Sequence, residues 1–260
     1  MLESKPTLST LLNHRSVRKY TGEPISDEML VAILEAGRAV STSSFLQATS
    51  IIRVVDGKKR TALRQVSCDM SADEYEQAVA DGKRLGHGYV ESCAEYLVFC
   101  MDAHRHNQLA DVQTDWTEVA LIGAIDAALM GQNVLAAAES LGLGGVFIGS
   151  LRNDIERAGD ILGLPKHVVP LFGLCLGHPD WESKINQSQR PRLPLDVLVS
   201  VDTYQVASDE ALAAYNEQVR EYYQGRGLDL DWKAQIAATF GDKVRPFILE
   251  YLQKQGFAKR

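Results

Sequence analysis

Positive charge is in short supply: 27 Lys and Arg stand against 34 Asp and Glu, a formal net charge of -7. Binding nucleic acid along a surface needs a concentrated excess of cations to displace counterions, so no general nucleic-acid face is expected. Cysteine is also scarce. Cys68, Cys93, Cys100 and Cys175 show no CxxC spacing, and two of them lie in apolar runs, which argues against a disulfide framework and predicts reduced, buried thiols in a cytoplasmic protein. Residues 1–19 lack a charged segment followed by an unbroken apolar stretch, so no secretory signal is expected. The most apolar window, 119–138, is interrupted by Asp126, Gln132 and Asn133, which hydrocarbon would make costly; it predicts a core helix and no membrane partner. Also missing are a GK[ST] phosphate loop and a GxSxG elbow, which leaves little support for an NTPase or a hydrolase.

What is present is an ordinary globular composition, 45% hydrophobic and 23% charged over 260 residues, and folding at this size buries roughly 75% of the surface of the unfolded chain. Apolar β-branched runs at 51–55, 96–101 and 168–176, with a fourth beginning at Val146-Phe147-Ile148, predict buried strands between helical patterns. Helices are expected at 7–13, after a Ser26 cap, over 116–141, at 209–223 and within 246–253. The 116–141 helix is Ala-rich and apolar almost all round, which predicts burial on every side, one route being a dimer interface. Residues 67–88 are polar and read as a helical or mobile insertion, and the tail after Leu193 reads as a helical arm with little core of its own.

Gly142, Gly144 and Gly145 close a helix before a strand, the reverse of a dinucleotide fingerprint, so they predict a C-cap and tight turn. Asp102, His104 and His106 have no third cluster to complete a metal site and read as solvated polar sequence at a strand end; His167 and His178 sit beside turn signals, and no metal is expected. The basic cluster His14, Arg15, Ser16, Arg18 and Lys19 stands out in an acidic protein, as does Arg190-Pro191-Arg192. Guanidinium forks and a hydroxyl on a short arc suit a phosphate, although an exposed charged turn would have the same composition.

The blocks HRSVRKY, EPIS, STSSFLQATSIIRV, AAESLGLGGVFIGSLRN, LPLFGLCLGHP and RPRLP, in this order and over nearly the whole chain, resemble the bacterial NADPH nitroreductases and flavin reductases, group A of the nitroreductase superfamily. The resemblance implies a single α+β domain over 1–260, with the insertion at about 67–88 and a helical excursion at about 205–260. The implied fold is a central mixed, mainly antiparallel sheet flanked by helices, in an intertwined homodimer that holds FMN at its interface. It implies that His14, Arg15, Ser16, Arg18, Arg190 and Arg192 bind FMN. Thr42, Ser44, His87, Phe147, Ile148, Gly149 and Ser150 would line the flavin, with the Gly149 N–H facing N5 and Arg18 supporting the reduced ring. Phe45, Arg152, Arg226 and Arg245 would meet the acceptor or the nicotinamide nucleotide. The implied mechanism is ping-pong, without a side-chain acid or base: NAD(P)H delivers hydride to the flavin and leaves, then a nitro or quinone acceptor takes two electrons.

This sequence departs from the family in four places, one of them Arg190, which stands where a Lys is usual and keeps its charge. His87 stands where a flavin-contacting Gln is usual, Ser150 where a Gly is, and Gly227-Leu228-Asp229-Leu230-Asp231-Trp232 replaces a longer basic loop. The two acids predict a weakened preference for NADPH over NADH, with Arg226 still favouring NADPH. Two other readings fit the same residues: a flavin reductase that releases reduced FMN, and a flavin-binding module without turnover. Residues 67–88, which run up to His87 and Gly88, are expected to cover the pocket mouth.

Overall fold

The computed structural model describes residues 5–186, 188–242 and 244–260. Ser188–Arg245 form a compact unit of their own, and the remaining described residues form a larger one.

The larger unit is built on a four-stranded sheet of β1 (Thr49–Arg53), β2 (Glu95–Asp102), β3 (Gly144–Ile148) and β4 (Val168–Gly177), in the order β1-β2-β4-β3. Every pairing is antiparallel. The register of β2 on β4 shifts between Phe99 and Cys100, opposite Pro170, which has no N–H to give to a ladder. All eight residues of β2 are buried because both faces of the sheet are covered, which is why residues 96–101 read as an apolar run rather than an alternation. Tyr96, Val98 and Cys100 pack with Leu63 and Val66 on one face, while Leu97 and Phe99 pack with Ile33 and Val134 on the other.

Helices α1 (Pro6–Leu12), α2 (Asp27–Arg38), α3 (Gly57–Ser67), α4 (Ala72–Ala80), α5 (Tyr89–Ser92), α6 (His104–Leu109), α7 (Thr117–Ser140) and α8 (Ile155–Leu162) also belong to this unit. Ser26 caps α2 by accepting from the Met29 N–H at 3.2 Å. Residues 67–88 hold α4, closed by a capping box between Ser71 and Glu74 and tied down where Arg157 donates to the Met70 carbonyl at 2.8 Å. α7 is long and apolar enough to cross a membrane by length and composition, yet Asp126, Val134, Leu135 and Ala138 are buried against the protein. The expectation of burial on every side fails within one chain: Leu121, Ile125 and Leu129 are 53%, 53% and 44% exposed. After α7, Gly142 takes a φ of +80°, and a Cβ on Gly145 would meet the Cys175 carbonyl at 2.7 Å, so the glycines serve the turn and the close approach of β3 to β4. All four cysteines are free.

The smaller unit holds α9 (Leu195–Leu198), α10 (Asp209–Gln224) and α11 (Trp232–Ala237). The tail expected to have little core of its own has a small one: Tyr215, Val219 and Tyr223 form a buried cluster with Leu193, Leu230 and Trp232 packed on it. The chain then returns to the larger unit through α12 (Ile248–Lys254), whose Tyr251 packs with Ile155 and Val169.

Candidate functional site

Residues 14–20 leave α1 and run beside the end of the sheet. The Val17 N–H donates to the Gly145 carbonyl at 2.9 Å, the Arg18 N–H donates to Asn186 Oδ1 at 3.0 Å, and Tyr20 forms a β-bridge with Pro179. This backbone is held while the side chains of His14, Arg15, Ser16 and Arg18 stay half-buried. His14 Nδ1 lies 2.6 Å from Glu139 Oε1 at the end of α7. Arg15 sits 5.5 Å from the centre of the Trp181 ring, in a cavity of about 280 Å³ also lined by Asn13, Glu139, Leu143 and Gly144. Among the described residues no carboxylate pairs with Arg15 or Arg18.

Arg18 faces a second group. His87, held at a φ of 57°, places Nδ1 2.8 Å from the Tyr89 hydroxyl and Nε2 3.3 Å from the Ser150 hydroxyl. Burial first, then the Arg64 and Arg18 charges, hold the His87 imidazole below its ordinary pKa and therefore neutral near pH 7. Burial raises the Tyr89 phenol, with Arg18 against its hydroxyl pulling the other way. Beside Ser150, a Cβ on Gly149 would meet only Arg152, no closer than 3.6 Å. The packing of this chain does not demand a glycine there, and its absence of a side chain leaves the backbone open to a ligand.

The Ser-rich segment sits elsewhere, over the middle of α7. Fully buried Asp126 accepts from the Ser43 N–H at 2.9 Å and the Ser43 hydroxyl at 3.0 Å through Oδ1, and from the Ala48 N–H at 3.4 Å through Oδ2. Between those anchors Ser44, Phe45 and Gln47 hold φ of 48°, 59° and 54°. Such backbone is costly for residues with a Cβ and tends to mark functional segments. Phe45 is 81% exposed, while the Thr42 hydroxyl accepts from the Gln47 N–H at 3.3 Å.

The remaining expected positions divide between the units. Phe147 meets Phe172 edge to face at 5.4 Å, and its neighbour Ile148 is buried in the sheet core, so only the Ile148 backbone can reach a ligand. Arg152 donates to the Leu171 carbonyl. Arg190, Arg192, Arg226 and Arg245 belong to the smaller unit. Arg226 lies 4.8 Å over the Tyr222 ring and donates to the Ser188 hydroxyl. Asp231, expected to stand against the nucleotide, caps α11 through the Ala234 N–H at 2.8 Å and pairs with Arg220 at 2.9 Å, and these contacts lower its pKa to about 2. His104 and His106 lie in α6 rather than at a strand end, with the His104 N–H on Asp102 Oδ1 at 2.9 Å.

The structure therefore brings together Arg18, His87 and Ser150, with Gly149 adjoining Ser150, sets Arg15 beside Trp181, and anchors Thr42, Ser44 and Phe45 over Asp126. Sequence reasoning missed Tyr89, Asp126, Trp181 and Asn186 as participants. Asp126 carried a usable signal, since a lone acid in an Ala-rich helix needs donors. Asn186 and Tyr89 carried none, because their roles depend on partners distant in sequence.

Two family models match, the nitroreductase family over residues 11–178 and the nitroreductase family C-terminal domain over 190–260. The chain is 45% identical to the oxygen-insensitive NADPH nitroreductase of Salmonella typhimurium, covering 98% of this chain and 99% of that protein. It is 42% identical to the NADPH-flavin oxidoreductase of Vibrio harveyi, over 98% and 99%. Among solved structures, nitroreductase A from Vibrio parahaemolyticus superposes with a TM-score of 0.86 at 43% identity, over 98% and 99% of the two chains. With helices on both faces of an antiparallel sheet, the HRSVRK arc pinned at its end and matches that run end to end, the chain belongs to the nitroreductase family.

Proposed function

We propose that this protein is an FMN-dependent NAD(P)H oxidoreductase that reduces small nitro and quinone compounds. The end-to-end identity to an NADPH nitroreductase, with the basic arc intact, is the observation that carries this reading. The donor set fits the cofactor: two guanidinium groups free of carboxylate partners among the described residues, a serine hydroxyl between them and an uncluttered Gly149 backbone suit a phosphate and a flat ring. Bound FMN would supply the two-electron carrier between nicotinamide and acceptor. His14, Arg15, Ser16 and Arg18 would hold its phosphate and ribityl arm, assisted by Arg190 and Arg192. His87, Ser150 and the Gly149 N–H would meet its ring, and Arg18 would favour the negative charge that develops on reduction.

The proposal includes a homodimer. Leu121, Ile125 and Leu129 recur every four residues and form an exposed apolar stripe on α7 that a second copy would cover. Asp126 and Glu139 are 13 residues apart on α7, roughly 20 Å at 1.5 Å per residue, which separates the Ser43 loop from His14 within one chain. A site that uses both is completed by Thr42, Ser44 and Phe45 from the other subunit. A cytoplasmic location accords with four free thiols.

Arg226, stacked on Tyr222, remains the group to favour the 2′-phosphate of NADPH. Because Asp231 is committed to Arg220 and to its cap, repulsion of that phosphate comes chiefly from Asp229. The preference for NADPH over NADH is expected below about 100-fold, roughly 2.7 kcal/mol. Likeness to the Vibrio harveyi NADPH-flavin oxidoreductase favours release of reduced flavin as a second reading. Anaerobic mixing with NADPH, then nitrofurazone or free FMN, tests both: bleaching and recovery of bound flavin supports a reductase and names its acceptor. Protein that cannot be loaded with FMN ends the proposal.

A further inference from the structure

Three side chains stand in line, Tyr89 at the start of α5, His87 just before it and Ser150 after β3, with the charge of Arg18 from the basic arc bearing on the first two. The imidazole also meets the Tyr89 ring edge to face, with centroids 5.6 Å apart and planes at 80°. His87 and Ser150 are both positions where this sequence departs from its family, as Arg190 is, but only they change the kind of group offered to the flavin.

The donors and acceptors of this line can be assigned from its ends. The Tyr89 end decides, because a phenol kept protonated by burial must place its O–H on an acceptor. Among the described residues the side chain within hydrogen-bond distance of that hydroxyl is His87, whose Nδ1 lies 2.8 Å away and takes the O–H. Arg64 and Arg18 both bear on the imidazole and oppose a second proton there. Neutral His87 that accepts at Nδ1 carries its hydrogen on Nε2, and that N–H points to Ser150 Oγ at 3.3 Å. The Ser150 oxygen is then an acceptor, and its own hydrogen is left for a partner outside this line of three.

We propose that Tyr89 is a positioning residue that fixes His87 as the Nε2–H tautomer and so makes Ser150 a hydrogen-bond donor to a carbonyl oxygen of the ring bound against Gly149. The identity of that ring as FMN rests on the function proposed above; the direction of the line does not. A family glycine at position 150 offers no side-chain donor there. Tyr89 touches neither cofactor nor substrate in this scheme and acts only through His87.

The test begins without cofactor. Long-range ¹H–¹⁵N correlation of ¹⁵N-histidine-labelled protein at pH 7, with His87 assigned by its loss in His87→Gln, reads the tautomer directly. A neutral Nε2–H pattern that shifts toward the other tautomer in Tyr89→Phe is expected. An Nδ1–H or imidazolium pattern in the wild type overturns the proposal even if the variant folds poorly, as does an unchanged tautomer in Tyr89→Phe. FMN titration by flavin fluorescence follows. Ser150→Ala and Tyr89→Phe should each weaken binding about fivefold, near 1 kcal/mol, as one neutral hydrogen bond contributes. The double variant should be no weaker than Ser150→Ala alone. Additive losses would show that Tyr89 does not act through Ser150. Wild-type protein that binds no FMN refutes the cofactor and with it the ligand half of the proposal, while the NMR result still decides the direction of the line.

Discussion

Replacing Asp126 by alanine removes the carboxylate that holds the Ser43–Ala48 loop. Three hydrogen bonds end on it, and hydrogen bonds to a charged group contribute about 1.5–3 kcal/mol each, so the gross loss is roughly 4.5–9 kcal/mol. Two effects reduce it. Ser44, Phe45 and Gln47 are no longer forced to positive φ, and release of three left-handed residues returns about 1 kcal/mol each. Ser43 is half-buried, so its freed N–H and hydroxyl can reach water. The net expectation is a destabilisation of about 2–4 kcal/mol, with Asp126→Asn in between because one oxygen still accepts. Guanidinium unfolding at one fixed protein concentration measures it, since subunit association would otherwise enter the midpoint. Amide exchange at Ser43 and Ala48 should accelerate in Asp126→Ala more than exchange in β2. A change under about 0.5 kcal/mol, the size of an ordinary surface substitution, with both amides still protected, would refute the assignment of Asp126 as the loop anchor.

The His87 pKa lies below its ordinary value of about 6.5, so on acidification the unfolded chain takes the proton first; the stability His87 contributes is present above about pH 6.5 and lost as pH falls toward the folded value. Urea midpoints between pH 7.5 and 5.5 should therefore fall less steeply in His87→Gln, and an identical slope would contradict this. Arg226→Ala should lower kcat/KM for NADPH by about 10- to 100-fold, the value of a charge-assisted hydrogen bond, and for NADH by far less; equal losses would remove Arg226 from 2′-phosphate recognition. Ile125→Lys with Leu129→Lys places two charges on the exposed stripe of α7, and light scattering should find a monomer where the wild type is a dimer. A variant of unchanged mass would show that the stripe is not the interface.

The elements that could be read in advance are those whose signal is local. The strands at 96–101 and 168–176 are apolar on both faces because both faces are covered, and the Ser26 cap with its acidic first turn sets the start of α2. Asp231 shows the opposite case. Beside Asp229 it looks like one of two acids near a nucleotide, but an Asp three residues ahead of Ala234 is also placed to cap a helix, and the helix decides its role. α7 was legible as a helix but not as a half-covered one, because composition does not say whether a neighbour lies in the same chain. Tyr89 was invisible for a similar reason, since through His87 it acts on Ser150, 61 residues away in sequence, and only the fold joins them.

Asp126 also bears on why the site divides. An apolar helix that presents Leu121, Ile125 and Leu129 outward would bury as well with alanine at 126, and a buried acid costs more than it returns unless its donors are in place. Its donors come from the loop that carries Thr42, Ser44 and Phe45, so the charge fixes that loop in a strained shape beside the apolar stripe. Glu139 near the end of the same helix takes His14 from the basic arc. One helix thus sets both halves of the proposed cofactor site at a spacing too long for either half to close on the other. Under two-fold pairing through the stripe, the strained loop of one copy is presented to the arc of the next, and association and cofactor binding become linked. Added FMN should then shift the monomer–dimer equilibrium of wild-type protein toward dimer on dilution, and should do so less in Asp126→Ala, whose loop no longer holds its shape.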